Sequence, residues 1–124
     1  MSTLVLDENQ SHYQIRAFKP GMIQINDVIF THSLIISPNQ LINDWPPQLI
    51  TELSSKNLNI IQSLKPDILL IGTGQKLEFI PIEIYGDLIN HGIGIEIMNT
   101  SAACRTYNAL AAEERNVVAA LIIQ

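Results

Sequence analysis

The sequence predicts a mixed α/β (α+β) domain, an N-terminal antiparallel meander followed by a C-terminal βαβαβ portion. Three observations carry this. Hydrophobic residues make up 47 % of the 124 positions and charged residues 15 %, so many positions are interior and one sizeable core is available. Residues 12–36 alternate apolar and polar between turn signals, the rhythm of half-buried strands. Residues 67–98 read as apolar strand, helix, apolar strand, an order that requires parallel strands joined by a right-handed crossover.

In order, residues 1–11 read as a polar tail and 12–124 as a single domain. His12 to Phe18 alternates with Tyr13, Ile15 and Ala17 on one side. Lys19-Pro20-Gly21-Met22 is turn chemistry, and Met22 to Ile25 is a short strand. Asn26-Asp27 suits a two-residue hairpin loop, after which Val28 to Ile36 reads as one long strand. Ser37 to Pro47, with three prolines around Trp45, reads as a surface loop whose tryptophan folds back as an anchor. Ser54 is an expected N-cap for a helix with Leu58, Ile61 and Leu64 on one stripe, ended by Pro66. Asp67 to Ile71 is an apolar strand running into Gly72-Thr73-Gly74. Pro81 opens a second helix with Ile84, Tyr85, Leu88 and Ile89 on its core face, although Gly86 inside it costs about 1 kcal/mol relative to alanine. His91-Gly92 ends it. Ile93 to Met98 is a strand, Thr100 the expected N-cap of a third helix over 101–112, and Val117 to Ile123 a last buried strand. Frequent isoleucine fits this strand content, because a branched Cβ suits a pleated surface.

Composition excludes several functions. Net charge is −5 without a basic run, which argues against nucleic acid, where phosphates need clustered Lys and Arg, and against an anionic membrane surface. One cysteine rules out an internal disulfide framework and a multi-cysteine zinc site. The N-terminus MSTLVLDENQ resembles neither a signal peptide nor an Arg-rich transit peptide. No apolar run approaches the roughly 20 residues that span a bilayer. The expectation is a soluble cytoplasmic protein without membrane insertion.

Gly72-Thr73-Gly74, then Gly92, Gly94, Glu96, Met98 and Thr100 in alternation, Ala102-Ala103-Cys104-Arg105-Thr106-Tyr107-Asn108 with Leu110, and Ala112, Glu113 and Arg115, resemble a family of small domains of largely unknown function. That family includes the mitochondrial respiratory complex I assembly factor three and the adipogenesis-associated domain protein. The match is dense over 66–123 and thinner over 12–36. It implies a three-layer β/β/α domain with a mixed sheet, no agreed enzymatic activity, and work by partnership. One departure stands out: members often carry glycine where this chain has Glu114, so a left-handed backbone there would strain a glutamate.

Two polar turns share the carboxyl edge of the parallel strands, where open α/β sheets gather ligands. Gly72, Thr73, Gly74, Thr100 and Ser101 are therefore the candidate site for a small anionic group, held by hydroxyls and free backbone N–H groups. The alternative is plain capping and close packing, since Gly-Thr-Gly lacks phosphate-loop spacing. Cys104 could be a nucleophile, yet its alanine neighbours favour a buried small hydrophobe. Glu96, on an apolar strand, should face solvent or meet Arg105 or Arg115; with Asn108 these are candidate structural polar residues. Tyr107 reads as a core ring and Asn108 as a helix-end contact. His12, His32 and His91 lie on separate elements, too few for a metal. No catalytic residue, cofactor or metal is expected. The favoured reading is a non-enzymatic interaction or assembly module with a protein partner or a second copy; the alternatives are a small anionic-ligand domain and an enzyme built on Cys104 or Glu96.

Overall fold

The computed structural model describes residues 12–124; the expected tail over 1–11 lies outside them. Strands β1 (Ile15–Lys19), β2 (Met22–Ile25) and β3 (Val28–Phe30) form the antiparallel meander. The hairpin between β2 and β3 turns on Asn26-Asp27, with Asn26 at φ 52°, a conformation its short polar side chain tolerates.

The single long strand expected over Val28–Ile36 is two. It breaks at Thr31-His32-Ser33, and β4 (Leu34–Ile36) joins a different sheet. The halves have opposite surroundings: Val28 and Ile29 are exposed, whereas all of β4 is buried. An apolar run does not distinguish an open edge from a doubly covered strand, so the sequence hid the break. Part of the expected loop is also a strand, β5 (Leu41–Ile42), paired with β4.

The second sheet has order β5-β4-β8-β6-β7, with β6 Ile68–Gly72, β7 Gly94–Met98 and β8 Val117–Leu121. β6 runs parallel to both β7 and β8, and β8 is antiparallel to β4. Every residue of β8 is buried, as a strand covered on both faces should be. The helices are α1 (Asn59–Leu64), α2 (Ile82–Asn90) and α3 (Thr100–Ala112). Ser54 precedes the first as expected, although the opening turn, Ser55–Leu58, is 3₁₀; the Asn57 side chain accepts from the Ser54 N–H at 2.9 Å.

Two cores flank the mixed sheet. On one face Leu34, Ile36, Leu70, Ala119 and Leu121 meet Ile15, Ile23 and Ile25 of the meander and Ala103, Cys104 and Tyr107 of α3. On the other, Ile35, Leu69, Ile71, Val118 and Ala120 meet Trp45, Leu58, Ile61 and Leu88. Each buried Leu or Ile contributes roughly 1.5–3 kcal/mol. The result is the three-layer β/β/α arrangement, with α3 beside the small sheet. Trp45 is the expected anchor: buried, its indole N–H donates to the Asn57 carbonyl at 2.9 Å.

Two further expectations, at α3 and α2, are corrected. The N-cap of α3 is Asn99, whose Oδ1 accepts from the Ala102 N–H at 2.8 Å; Thr100 is the first helical residue and its hydroxyl is used elsewhere. Ile89 does not belong to the core face of α2. It is exposed while Leu88 is buried, because the core face is centred on Ile84, Tyr85 and Leu88.

Candidate functional site at the carboxyl edge of the parallel strands

β6, β7 and β8 are parallel, so their carboxyl ends share one edge. Gly72-Thr73-Gly74 leaves β6 there, Asn99-Thr100-Ser101 leaves β7, and Ile122 follows β8. Thr100 fastens the three. It is fully buried; its hydroxyl donates to the Ile122 carbonyl at 2.6 Å and accepts from the Gly74 N–H at 2.8 Å, while its own N–H donates to the Gly74 carbonyl at 2.9 Å. Gly72 permits this approach: a Cβ there would lie 2.8 Å from Thr100 Oγ1 and 3.0 Å from Thr100 Cα. Gly74 adopts φ +108°, open to glycine at no steric cost.

Thr73 organises the loop that follows. Its hydroxyl donates to the Lys76 carbonyl at 2.6 Å and accepts from the Glu78 N–H at 3.1 Å, and its N–H donates to the Met98 carbonyl at 2.9 Å. Above the loop lies a groove of about 400 Å³, lined by Thr73, Gly74, Lys76, Leu49, Ile50 and Ile122 among others. Thr100, fully buried, is bonded to Gly74 of that wall but does not line the groove. Ser101 faces a separate cleft with Phe18, Lys19 and Pro20, and its hydroxyl accepts from Arg105 at 2.8 Å. The five residues therefore share one edge without converging on one cavity.

The charged and polar candidates are dispersed. Glu96 is exposed on β7, an edge strand of the mixed sheet, where a carboxylate discourages pairing with a further strand. Among the described residues the one ion pair is Arg115 to Glu113 at 3.9 Å. Asn108 is a mid-helix residue rather than a helix-end contact. It bonds both backbone groups of Ile15, while the Tyr107 hydroxyl donates to the Tyr13 carbonyl at 2.8 Å. Burial pushes the Cys104 thiol up to about 12, with Arg105 pulling it slightly back; burial also raises the Tyr107 phenol. A thiol so held is protonated at neutral pH and is a poor nucleophile. His12, His32 and His91 are exposed and separate, and no group of three metal-ligating side chains exists among the described residues.

Sequence reasoning missed what Thr73 presents. The pinned loop holds Leu77 and Phe79 in water, 65 % and 86 % exposed, followed by Ile82 at 59 %. No sequence signal marks it: in Leu77-Glu78-Phe79-Ile80 the apolar residues read alike, and of the four only Ile80 is buried.

The model of a family described as "protein of unknown function (DUF498/DUF598)" matches residues 15–122. The chain belongs to this family. It is 31 % identical over 124 residues, 98 % of this chain and all of the relative, to the "13 kDa major membrane protein" of Francisella tularensis. It is 31 % identical over 111 residues to the zebrafish NADH dehydrogenase [ubiquinone] 1 alpha subcomplex assembly factor 3, covering 87 % of this chain and 63 % of that protein. A crystal structure from Bordetella parapertussis shares the fold at TM-score 0.86 and 35 % identity, over 92 % of this chain and 98 % of that one. The resemblance carried by Gly72–Gly74 and residues 92–115 thus holds. No helix among the described residues is long and apolar enough to cross a membrane.

Proposed function

We propose that this domain is a non-enzymatic interaction module that works in the cytoplasm in the assembly of a larger protein complex. The observation that carries the reading is the apolar display at Leu77, Phe79 and Ile82, held by the hydrogen bonds of Thr73. Large apolar side chains exposed close together in the chain are candidates for an interaction site, and an ordered loop loses less entropy on binding. The assembly-factor relatives support it: they carry that role in their name, and the chain spans 63 % of the zebrafish protein. The net charge of −5 favours a protein partner over nucleic acid. Affinity purification of the full chain from its native cells, followed by light scattering of the eluate, tests this. A stoichiometric protein partner or self-association is expected; an inert monomer that recovers nothing would refute it.

A second reading, a small anionic ligand held at Gly72–Gly74 and Thr100–Ser101, draws on the groove beside Thr73 and on Lys76 in its wall. The internal bonds of both threonine hydroxyls leave Lys76 as the group with charge to offer. A thermal-shift screen of anionic metabolites against wild type and Lys76→Ala separates the readings: a midpoint rise that the variant loses would favour the ligand.

A further inference from the structure

We propose that the outer face of α2, with the loop leading into it, docks a protein partner presenting apolar side chains bordered by lysine or arginine. This deepens the assembly reading and rests on it. On α2, Ile82, Gly86 and Ile89 stand at i, i+4 and i+7 and so form one stripe. Ile82 and Ile89 are exposed, Ile89 at 45 %, while the core takes the other stripe, Ile84, Tyr85 and Leu88. The helix is apolar on two faces and the fold covers one. Gly86 lies in the middle of the outer stripe. A Cβ there would meet only Ile82 Cγ1, at 3.6 Å, so internal packing does not require glycine; its effect is to let another chain approach the helix closely. Phe79 and Leu77, upstream on the loop fixed by Thr73, add two more exposed apolar side chains just before the helix.

Charge selects the occupant. Glu83 and Asp87, one turn apart, run beside the stripe, and Glu78 separates Leu77 from Phe79; all three are exposed, with Lys76 the one Lys or Arg over 75–91. A second copy packed antiparallel about Gly86 by two-fold rotation would set the Glu83–Asp87 row against itself, and like charges juxtaposed in an interface are costly. An anionic bilayer is repelled in the same way. A protein surface with a basic border is complementary.

The test introduces a benzophenone amino acid at Phe79, or as a control at Ile29 of β3, in the full chain expressed in its native cells. The Phe79 probe is expected to capture one protein through a peptide with apolar residues and Lys or Arg within a few positions. Capture should fall at least tenfold with Ile82→Asp and at least fivefold with Glu83→Lys plus Asp87→Lys, and Ile29→Asp should leave it unchanged. Crosslinking to a second copy or to lipid, or capture indifferent to Ile82→Asp and to the charge reversal, would overturn the proposal. A complex that purifies intact but crosslinks only from Ile29 would refute this surface and leave the assembly reading standing. Recovery of no partner by either route would remove both.

Discussion

The Asn108 side chain brackets the backbone of Ile15. Its Nδ2 donates to the Ile15 carbonyl at 2.7 Å and its Oδ1 accepts from the Ile15 N–H at 3.0 Å. One amide on α3 thereby acts as an added strand partner for the start of β1, 93 residues away in sequence. Replacing it with alanine strands two partly buried backbone groups, and each costs about 1–3 kcal/mol when left unpaired. Asn108→Ala should lower the urea midpoint by the equivalent of ~2–3 kcal/mol, and hydrogen exchange should quicken first over residues 13–19. A midpoint within error of wild type would show that the meander is held by its core alone.

Glu114 adopts φ +61° immediately after Glu113, the C-cap of α3. The Arg115 N–H donates to the Leu110 carbonyl and the Glu114 N–H to the Ala111 carbonyl, the paired bonds of a helix end that favours glycine. A non-glycine residue in this region costs roughly 1–2 kcal/mol, offset in part by the greater freedom of unfolded glycine. Glu114→Gly should therefore stabilise by about 0.5–1 kcal/mol, a melting rise of ~2–6 °C. A fall in the melting temperature would contradict this account of the helix end.

The Thr100 lock predicts a matched pair of losses. Thr100→Val keeps the shape and removes the hydroxyl, leaving the Gly74 N–H and the Ile122 carbonyl without it; ~2–4 kcal/mol of stability should go. Gly72→Ala drives a methyl into Thr100 Oγ1 and should cost about 1–3 kcal/mol by overpacking. Because both act on one contact, the loss in the double variant should depart from the sum of the single losses. Full additivity in chemical denaturation would show that the two sites are independent.

Cys104 gives a pH dependence. Its thiol, ordinarily near 9.0, is raised to about 12 by burial. Below pH 9 it is protonated in both states and the full stability is present. As pH rises from 9 towards 12 the unfolded chain ionises first, so stability falls through that window. Cys104→Ala should flatten the alkaline slope, the remainder coming from Tyr107. In native buffer at pH 8 a disulfide reagent should label Cys104 at least 100-fold more slowly than in denaturant; equal rates would mean an accessible thiol.

Most of the fold was legible because it is written in local patterns. The parallel unit followed from two short apolar runs around one helix, and Gly92 marked the stop of that helix. The break at Thr31–Ser33 was not legible, since Val28–Phe30 and Leu34–Ile36 are chemically alike and differ only in what covers them. Asn99 lost the cap to Thr100 in the sequence reading because both residue types cap well; the choice was made by the distant Ile122 carbonyl and Gly74 N–H, which claim the threonine hydroxyl. The shared edge of the two turns followed from strand order. That Thr100 is buried away from the groove and Ser101 lines another cleft did not, because side-chain direction depends on tertiary packing. The display of Phe79 was hidden for a similar reason: Phe79 and Ile80 read alike, and only burial of Ile80 tells them apart.

On the proposal above, the 92–115 stretch holds the domain together while the surface of Phe79 and α2 meets the partner. Quantitative mass spectrometry of complexes purified from native cells tests it, comparing wild type, Cys104→Ala and Phe79→Asp with Ile82→Asp. The account predicts that Cys104→Ala recovers the same partner at wild-type yield, and that the double surface variant, folded by circular dichroism, loses it at least tenfold. Wild-type recovery by the surface variant, with loss by a folded Cys104→Ala, would contradict it.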